Sequence, residues 1–410
     1  MKQILLVHPS LGPPGGGEGL AACLIQGILD AKKYHLTIAC LEPPDFEGLN
    51  QFFDTALDPQ HPRLTIVASP DKARLMRSLR MTTLPLALLE MSLLERHARN
   101  LAHKHNPPFD LFLSTCNEWS FPDSAPALQY IHYPKYHPKR GVGDYRWFHH
   151  IPGALKSYRL LSNTLARTNF NRIRQNITLA NSAFTAQAYE ETHGVPAQIV
   201  HPPLPGNPPS PVPWEQRENR IIALGRFSPE KRIPQMIHIV HDLRDSLANR
   251  SSSSATPPTL HLIGSWNCPR PHRHKIESLL RKHADWLHLH TDLPRAELDT
   301  FLSQSKYGLH AMPDEHFGMA VAEMQRAGCI VFVPQSGGPK EIIGSDSTPQ
   351  LFSSPSDAVS KLTAALSDSS LQQSLHQRAL DRAPRFSTER FINECLQHID
   401  AALDNPSTGL

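Results

Sequence analysis

Two glutamates, Glu315 and Glu323, stand eight positions apart within Pro313-Asp314-Glu315-His316-Phe317-Gly318-Met319-Ala320-Val321-Ala322-Glu323. The first lies just before a glycine, and the second falls about a turn and a half into the helix predicted to follow. A short apolar run, Ile330 to Val333, then leads to the glycine pair Gly337-Gly338. Read physically, this is a loop, the open N-terminus of a helix, a buried strand and a second tight loop. The free N–H groups and positive dipole end of such a helix can hold a phosphate. Carboxylates on either side can accept hydrogen bonds from hydroxyls. A ligand offering hydroxyl, diphosphate and hydroxyl in that order is a nucleotide sugar.

Other residue groups suit the same ligand. Gly225-Arg226-Phe227-Ser228-Pro229-Glu230-Lys231 sets a planar guanidinium and a compact ammonium five residues apart. Both can bind phosphate oxygens, although a solvated pair on a loop is the plainer account. Gly12-Pro13-Pro14-Gly15-Gly16-Gly17-Glu18 follows the first predicted strand and opens a helix. Its glycines let backbone N–H groups approach an anion, or they simply make a tight turn. It is neither a Walker loop nor a dinucleotide fingerprint. His132 ends an apolar run, where a satisfied core histidine is the default. Metal ligands do not assemble: no D-x-D occurs, and Asp242 and Asp245 fit a solvated helix face. His149-His150 and His272-Arg273-His274 lack the i, i+4 spacing and third ligand that zinc needs.

In wording, the segment resembles the donor site of retaining family 4 glycosyltransferases, which have the GT-B fold. Glu315-His316-Phe317-Gly318, Ala327-Gly328 and Ser336-Gly337-Gly338-Pro339-Lys340 are similar to the dolichol-pathway α-1,2-mannosyltransferases. So are His8-Pro9 with Gly15-Gly16-Gly17-Glu18, and Tyr130-Ile131-His132-Tyr133-Pro134. The resemblance implies two doubly wound Rossmann-like α/β domains facing across a cleft, and transfer of a hexose such as mannose or glucose from a nucleotide sugar to a glycan or lipid-linked hydroxyl. It implies that Arg226 and Lys231 hold the donor diphosphate, with the amides of Phe317, Gly318 and Met319. Glu315 then binds sugar hydroxyls and Glu323 the ribose. Gly15, Gly16 and Gly17 border the cleft, and His132 contacts the transferred sugar from the opposite domain. No nucleophile is evident, so front-face substitution is the expected route to retention. Neither a metal nor another cofactor is expected. A nucleotide-sugar epimerase and a non-catalytic sugar-nucleotide or glycan binder are the rival readings.

The elements that must position these residues are legible as alternation. Short apolar runs alternate with helix-length segments through both halves, the mark of βα units on parallel sheets. Strands are predicted at Gln3–Val7, His35–Leu41, Leu64–Val67, Asp110–Leu113, Leu128–His132 and Ile177–Ala180. The second half adds Arg220–Leu224, Thr259–Ile263, Trp286–Leu289, Tyr307–His310 and Ile330–Val333. Between the halves, residues 202 to 213 hold seven prolines in twelve positions, a linker composition. Domains are therefore expected at 1–205 and 214–385, with a last helix at 386–405 packing back on the first. Ser251 to Pro258 reads as a surface loop.

The 410 residues suffice for two cores, and a net charge of +3 implies no nucleic-acid field. Six scattered cysteines without a C-x-x-C pair suit a reducing compartment. The apolar run Ile4–Val7 is too short for a signal peptide or spanning helix, so a cytoplasmic protein is expected. The eukaryotic mannosyltransferases carry an N-terminal anchor, and this sequence departs from them there. Arg74, Arg77 and Arg80 share one helical face beside the apolar segment Leu84 to Leu94. That pattern fits peripheral contact with the inner face of a membrane, or a covering helix followed by a core helix.

Overall fold

A computed structural model describes residues 1–13, 15–69, 87–138, 153–206, 208–249, 256–344 and 348–404. The chain forms two compact units. The first comprises Met1–Arg140, Asp144–Pro205 and Ser387–Leu410, and the second Gly141–Gly143 and Gly206–Phe386. Arg74, Arg77, Arg80 and Leu84, His149-His150 and the serines of the 251–258 loop lie outside the described residues. Within the described part of the Leu84–Leu94 segment, Leu94 is buried and the half-buried Met91 packs against the same cluster.

Each unit is built on one parallel sheet. In the first, β1 (Lys2–Val7), β2 (Tyr34–Cys40), β3 (Leu64–Ala68), β4 (Leu111–Ser114), β5 (Ala127–Ile131), β6 (Ile177–Ala180) and β7 (Gln198–Ile199) lie in the order β3-β2-β1-β4-β5-β6-β7. In the second, β8 (Glu218–Leu224), β9 (Thr259–Gly264), β10 (Leu287–Thr291), β11 (Ser305–Leu309), β12 (Ile330–Pro334) and β13 (Leu351–Phe352) lie in the order β10-β9-β8-β11-β12-β13. Central strands such as Ile4–Val7 and Ile330–Val333 are fully buried, which is why they read as unbroken apolar runs. The strands that alternation picks out all form, shifted by a residue or two at their ends. It does not reach β7 and β13, because two-residue strands carry no period.

Both sheets wind outward from their first strand, then cross to its other side. The loops leaving β1 and β4, and those leaving β8 and β11, therefore diverge at the carboxyl edge. Open parallel sheets bind ligands at such a switch point.

The helix Thr388–Asp404 belongs to the first unit. Ser387 Oγ caps it by accepting from Arg390 N at 3.2 Å, and Phe391, Cys395, Ile399 and Ala402 enter that unit's core. A Cβ at Gly27 would stand 2.4 Å from Ile392 Cγ2, so glycine there lets the first helix (Gly16–Asp30) meet the last. Tyr34 and Lys33 both donate to Asp400. All six cysteines are unpaired: Cys23, Cys40, Cys329 and Cys395 are buried, Cys116 and Cys268 half-buried. No helix among the described residues is long and apolar enough to cross a membrane.

On one face of the second sheet, His261 Nδ1 lies 3.0 Å from His290 Nε2, with His288 alongside and Arg220 above Phe301. Burial, then the neighbouring His288, Arg220 and His290, pushes His261 down to about 3. His290 is lowered as well, chiefly by burial. These histidines are neutral when folded and take up protons once unfolded, below their ordinary value of 6.5. Stability is thus complete above that value and is lost as pH falls through it. Thermal unfolding should move to lower temperature between about pH 7.5 and about pH 5.5, and His261→Gln should flatten that dependence. An unchanged slope in the variant would remove His261 from the account.

Candidate functional site

The second unit builds its site from loops at the switch point. After β8 the chain turns through Gly225, at φ +137°, and is stitched to the loop after β9. Gly225 N donates to Ile263 O and Phe227 N to Ser265 O, both at 2.9 Å. A Cβ at Gly264 would lie 1.9 Å from Gly225 O, so no side chain fits. Phe227 is buried against Trp266, which turns Arg226 outward. Arg226 is exposed and makes no ion pair or hydrogen bond with another described residue. A single 3₁₀ turn, Pro229–Lys231, then places Lys231 just ahead of the helix Ile233–Ala248.

The loop after β11 carries Glu315. His310 N donates to Phe332 O at 2.9 Å, extending the β11–β12 ladder by one bond. Beyond it, Ser336 Oγ accepts from Asp314 N at 3.3 Å and Gly338 N donates to Glu315 O at 2.8 Å. Cβ atoms at Gly337 and Gly338 would strike Glu315 O at 2.7 Å and His316 O at 2.5 Å. The glycine pair therefore allows two backbones to lie in contact. Phe317 is buried beside Phe386, and Gly318, at φ +106°, starts the helix Met319–Arg326. Glycine offers no side-chain cap, so capping of the first-turn N–H groups is left to whatever approaches the helix end.

Lys231 Nζ forms an ion pair with Glu315 Oε2, with both side chains mostly buried. His310 Nε2 lies 3.4 Å from the same oxygen, inside ion-pair reach but without hydrogen-bond geometry. Burial alone would raise the Glu315 carboxyl. His310 and the Lys231 charge outweigh it and hold the group well below the usual carboxylate range. Glu323, on the next helix, accepts from Arg295 Nη1 at 2.6 Å. Arg295 also grips Asp299 through two nitrogens, and these carboxylates raise its pKa against the effect of burial.

In the first unit, His132 follows β5. Its Nε2 lies 3.0 Å from Thr115 O, and a Cβ at Gly17 would come within 3.6 Å of that nitrogen. His132 N donates to the Asn117 side chain, and its carbonyl accepts from Asn181. Burial lowers the His132 pKa, so the ring is neutral and Nε2–H donates to Thr115 O. Burial, with His132 next to it, pushes His8 down to about 3, and its Nδ1 lies 2.8 Å from Thr115 Oγ1. Gly15 caps the first helix in extended conformation, and Gly16 and Gly17 open it.

Of the residues singled out by sequence, the structure joins Lys231 to Glu315 and sets Gly318 and Met319 at the helix start between the two glutamates. Gly17 stands beside His132. Sequence reading misses His310, Arg295, Asp299 and Thr115. Only His310 carried a signal, as a polar residue at the carboxyl end of a predicted buried strand. Arg295 reaches Glu323 across 28 residues, which no local pattern reports. No group of three His, Cys, Asp or Glu side chains among the described residues is arranged to hold a metal.

Residues 209–382, nearly all of the second unit, match the family model Glycosyl transferases group 1. Solved structures align across both units. WaaG, a glycosyltransferase of lipopolysaccharide biosynthesis, superposes with a TM-score of 0.63 over 97% of this chain and 99% of its own, at 14% identity. Anabaena HepE in complex with UDP-glucose gives 0.62 over 98% and 100%, at 15% identity. Residues 209–382 are thus similar to glycosyl transferases group 1, and the chain shares the GT-B fold of these solved structures. In sequence it is similar to GDP-Man:Man(3)GlcNAc(2)-PP-Dol alpha-1,2-mannosyltransferases. The Dictyostelium discoideum protein is 25% identical over 66% of this chain and 58% of its own length. The Homo sapiens protein is 28% identical over 47% and 41%. The chain thus spans about half the length of these curated relatives.

Gly337→Ala should separate backbone strain from loop contact. Gly194, at φ +73° with open space around it, is the control. Gly194→Ala should cost about 1 kcal/mol in denaturant unfolding, from its left-handed conformation alone. Gly337→Ala should cost more, about 2–3 kcal/mol, because its Cβ also meets Glu315 backbone. Equal losses would mean that the contact between the loops contributes nothing.

Proposed function

We propose that the protein transfers a hexose from a nucleotide sugar to a hydroxyl of a glycan or lipid-linked acceptor, with retention of anomeric configuration. The observation that carries this reading is the placement of the Lys231–Glu315 pair, an uncapped helix start and Glu323 in sequence along one switch point. Arg226 and Lys231 neutralise the diphosphate, together with the Phe317, Gly318 and Met319 amides. Glu315 accepts from sugar hydroxyls, and Glu323, oriented by Arg295, from the ribose. In the first unit, His132 is a neutral hydrogen-bonding group beside the Gly15–Gly17 turn, suited to a ligand hydroxyl. The sugar C1–O bond to phosphate breaks as the acceptor oxygen bonds C1 on the same face. The departing diphosphate takes the acceptor proton. The matched family and its named relatives are transferases, which disfavours the epimerase and non-catalytic readings.

Thermal-shift measurements with GDP, UDP, ADP and their sugars test the donor. A ligand at a hundredfold its Kd stabilises by about 2.7 kcal/mol. The mannosyltransferase relatives are named for GDP-mannose, and the HepE structure contains UDP-glucose, so both head the screen. Glu323→Gln should weaken the free nucleotide and the nucleotide sugar alike. Glu315→Gln should spare the nucleotide and reduce sugar binding or transfer. Variants that both behave as wild type would place the donor elsewhere.

Turnover should fall by about 10²-fold in Arg226→Ala or Lys231→Ala, the scale of a lost charge contact in the transition state. Side-chain cations, in place of a D-x-D metal site, should also keep the enzyme active in excess EDTA. Loss of activity to the chelator, restored by Mg²⁺ or Mn²⁺, would count against that division of labour.

A further inference from the structure

Lys231 faces two demands. Its ammonium is paired with Glu315 in this structure, yet the proposed function assigns it to the donor diphosphate. A diphosphate is the stronger attractor, with more charge and more acceptor oxygens. Once Lys231 turned to it, the mostly buried Glu315 carboxylate would lose its partner, a costly state. One other group is in place to take over. His310 sits where β11 ends, its backbone bonded to β12 and its side chain 4% exposed. Nε2 points to within 3.4 Å of Glu315 Oε2 and has no hydrogen-bond partner among the described residues. At that separation, alignment of the ring N–H with the carboxylate would make the contact a hydrogen bond.

We propose that His310 is a positioning residue that holds Glu315 against the donor sugar while Lys231 is engaged by the diphosphate. Lys231 is then the exchangeable partner of the carboxylate and His310 the fixed one. Both partners meet Oε2, which leaves Oε1 to accept from a sugar hydroxyl. The inference rests on the donor-site reading above and adds a residue that the two-glutamate pattern does not contain.

The test uses calorimetric binding of GDP, GDP-mannose, UDP and UDP-glucose to the full chain, with melting temperature as a check on folding. His310→Phe keeps the ring volume and removes the donor; His310→Gln restores an N–H near the Nε2 position. In His310→Phe, the affinity of the preferred nucleoside diphosphate should stay within about twofold of wild type, while the ratio of sugar-nucleotide to nucleotide affinity drops by about tenfold or more. His310→Gln should recover most of that ratio. Because His310 acts through Glu315, the double variant His310→Phe/Glu315→Gln should be no worse than Glu315→Gln alone.

An unchanged ratio in His310→Phe overturns the proposal, as does full additivity in the double variant. Loss of nucleotide binding in both His310 variants assigns the residue to folding instead and overturns it too. Wild-type protein that binds none of the four probes contradicts the donor-site reading itself, an outcome separate from all of these.

Discussion

The second unit depends on a contact between two stretches of backbone. Residues 336–338 lie directly on residues 314–317, and a Cβ at either Gly337 or Gly338 would occupy space held by the other chain. That contact sets where Glu315 emerges from its loop. Through Gly318 it also sets where the helix Met319–Arg326 begins. The loops after β8 and β9 repeat the arrangement, with Gly264 pressed on Gly225. Two glycine-mediated contacts thus fix Lys231 and Glu315 from opposite sides of the switch point, and the ion pair between them follows from backbone geometry.

Charges in this protein are buried in company. Glu315 has Lys231 and His310; Glu323 has Arg295, which is itself gripped by Asp299. The first unit shows the same habit away from the glycine turn. Glu118, fully buried, receives the Lys135 amide and meets His193, while the Lys135 ammonium donates to the Glu118 carbonyl. Burial opposes the Lys135 charge, but Tyr136, Glu95 and Glu118 prevail and raise its pKa. Removing a partner from such a group leaves a buried charge uncompensated, which ties side-chain position to fold integrity.

The fold was largely legible because its strands are buried on both faces and so announce themselves as apolar runs. Gly337-Gly338 and Gly318 were legible because the backbone there tolerates few residue types, and the two glutamates because of their spacing about that glycine. The partners were not. Nothing local in the sequence links Arg295 to Glu323, or Thr115 to His132, since each pair meets only after separate βα units have closed. His310 is intermediate. Its place at a strand end is visible in sequence, but its direction depends on the β11–β12 register.

The last helix has a consequence for how the chain is made. Phe391, Cys395, Ile399 and Ala402 complete a core whose other members begin at Ile4. On the ribosome, the first unit lacks these side chains until the whole of the second unit has been synthesised. Contacts separated by so much sequence close late, and until then Gly27 lacks the Ile392 side chain it packs against. The second unit, running from Gly206 to Phe386, has its residues in hand before the first unit does. Chain order and the order in which the two cores can close are therefore opposite.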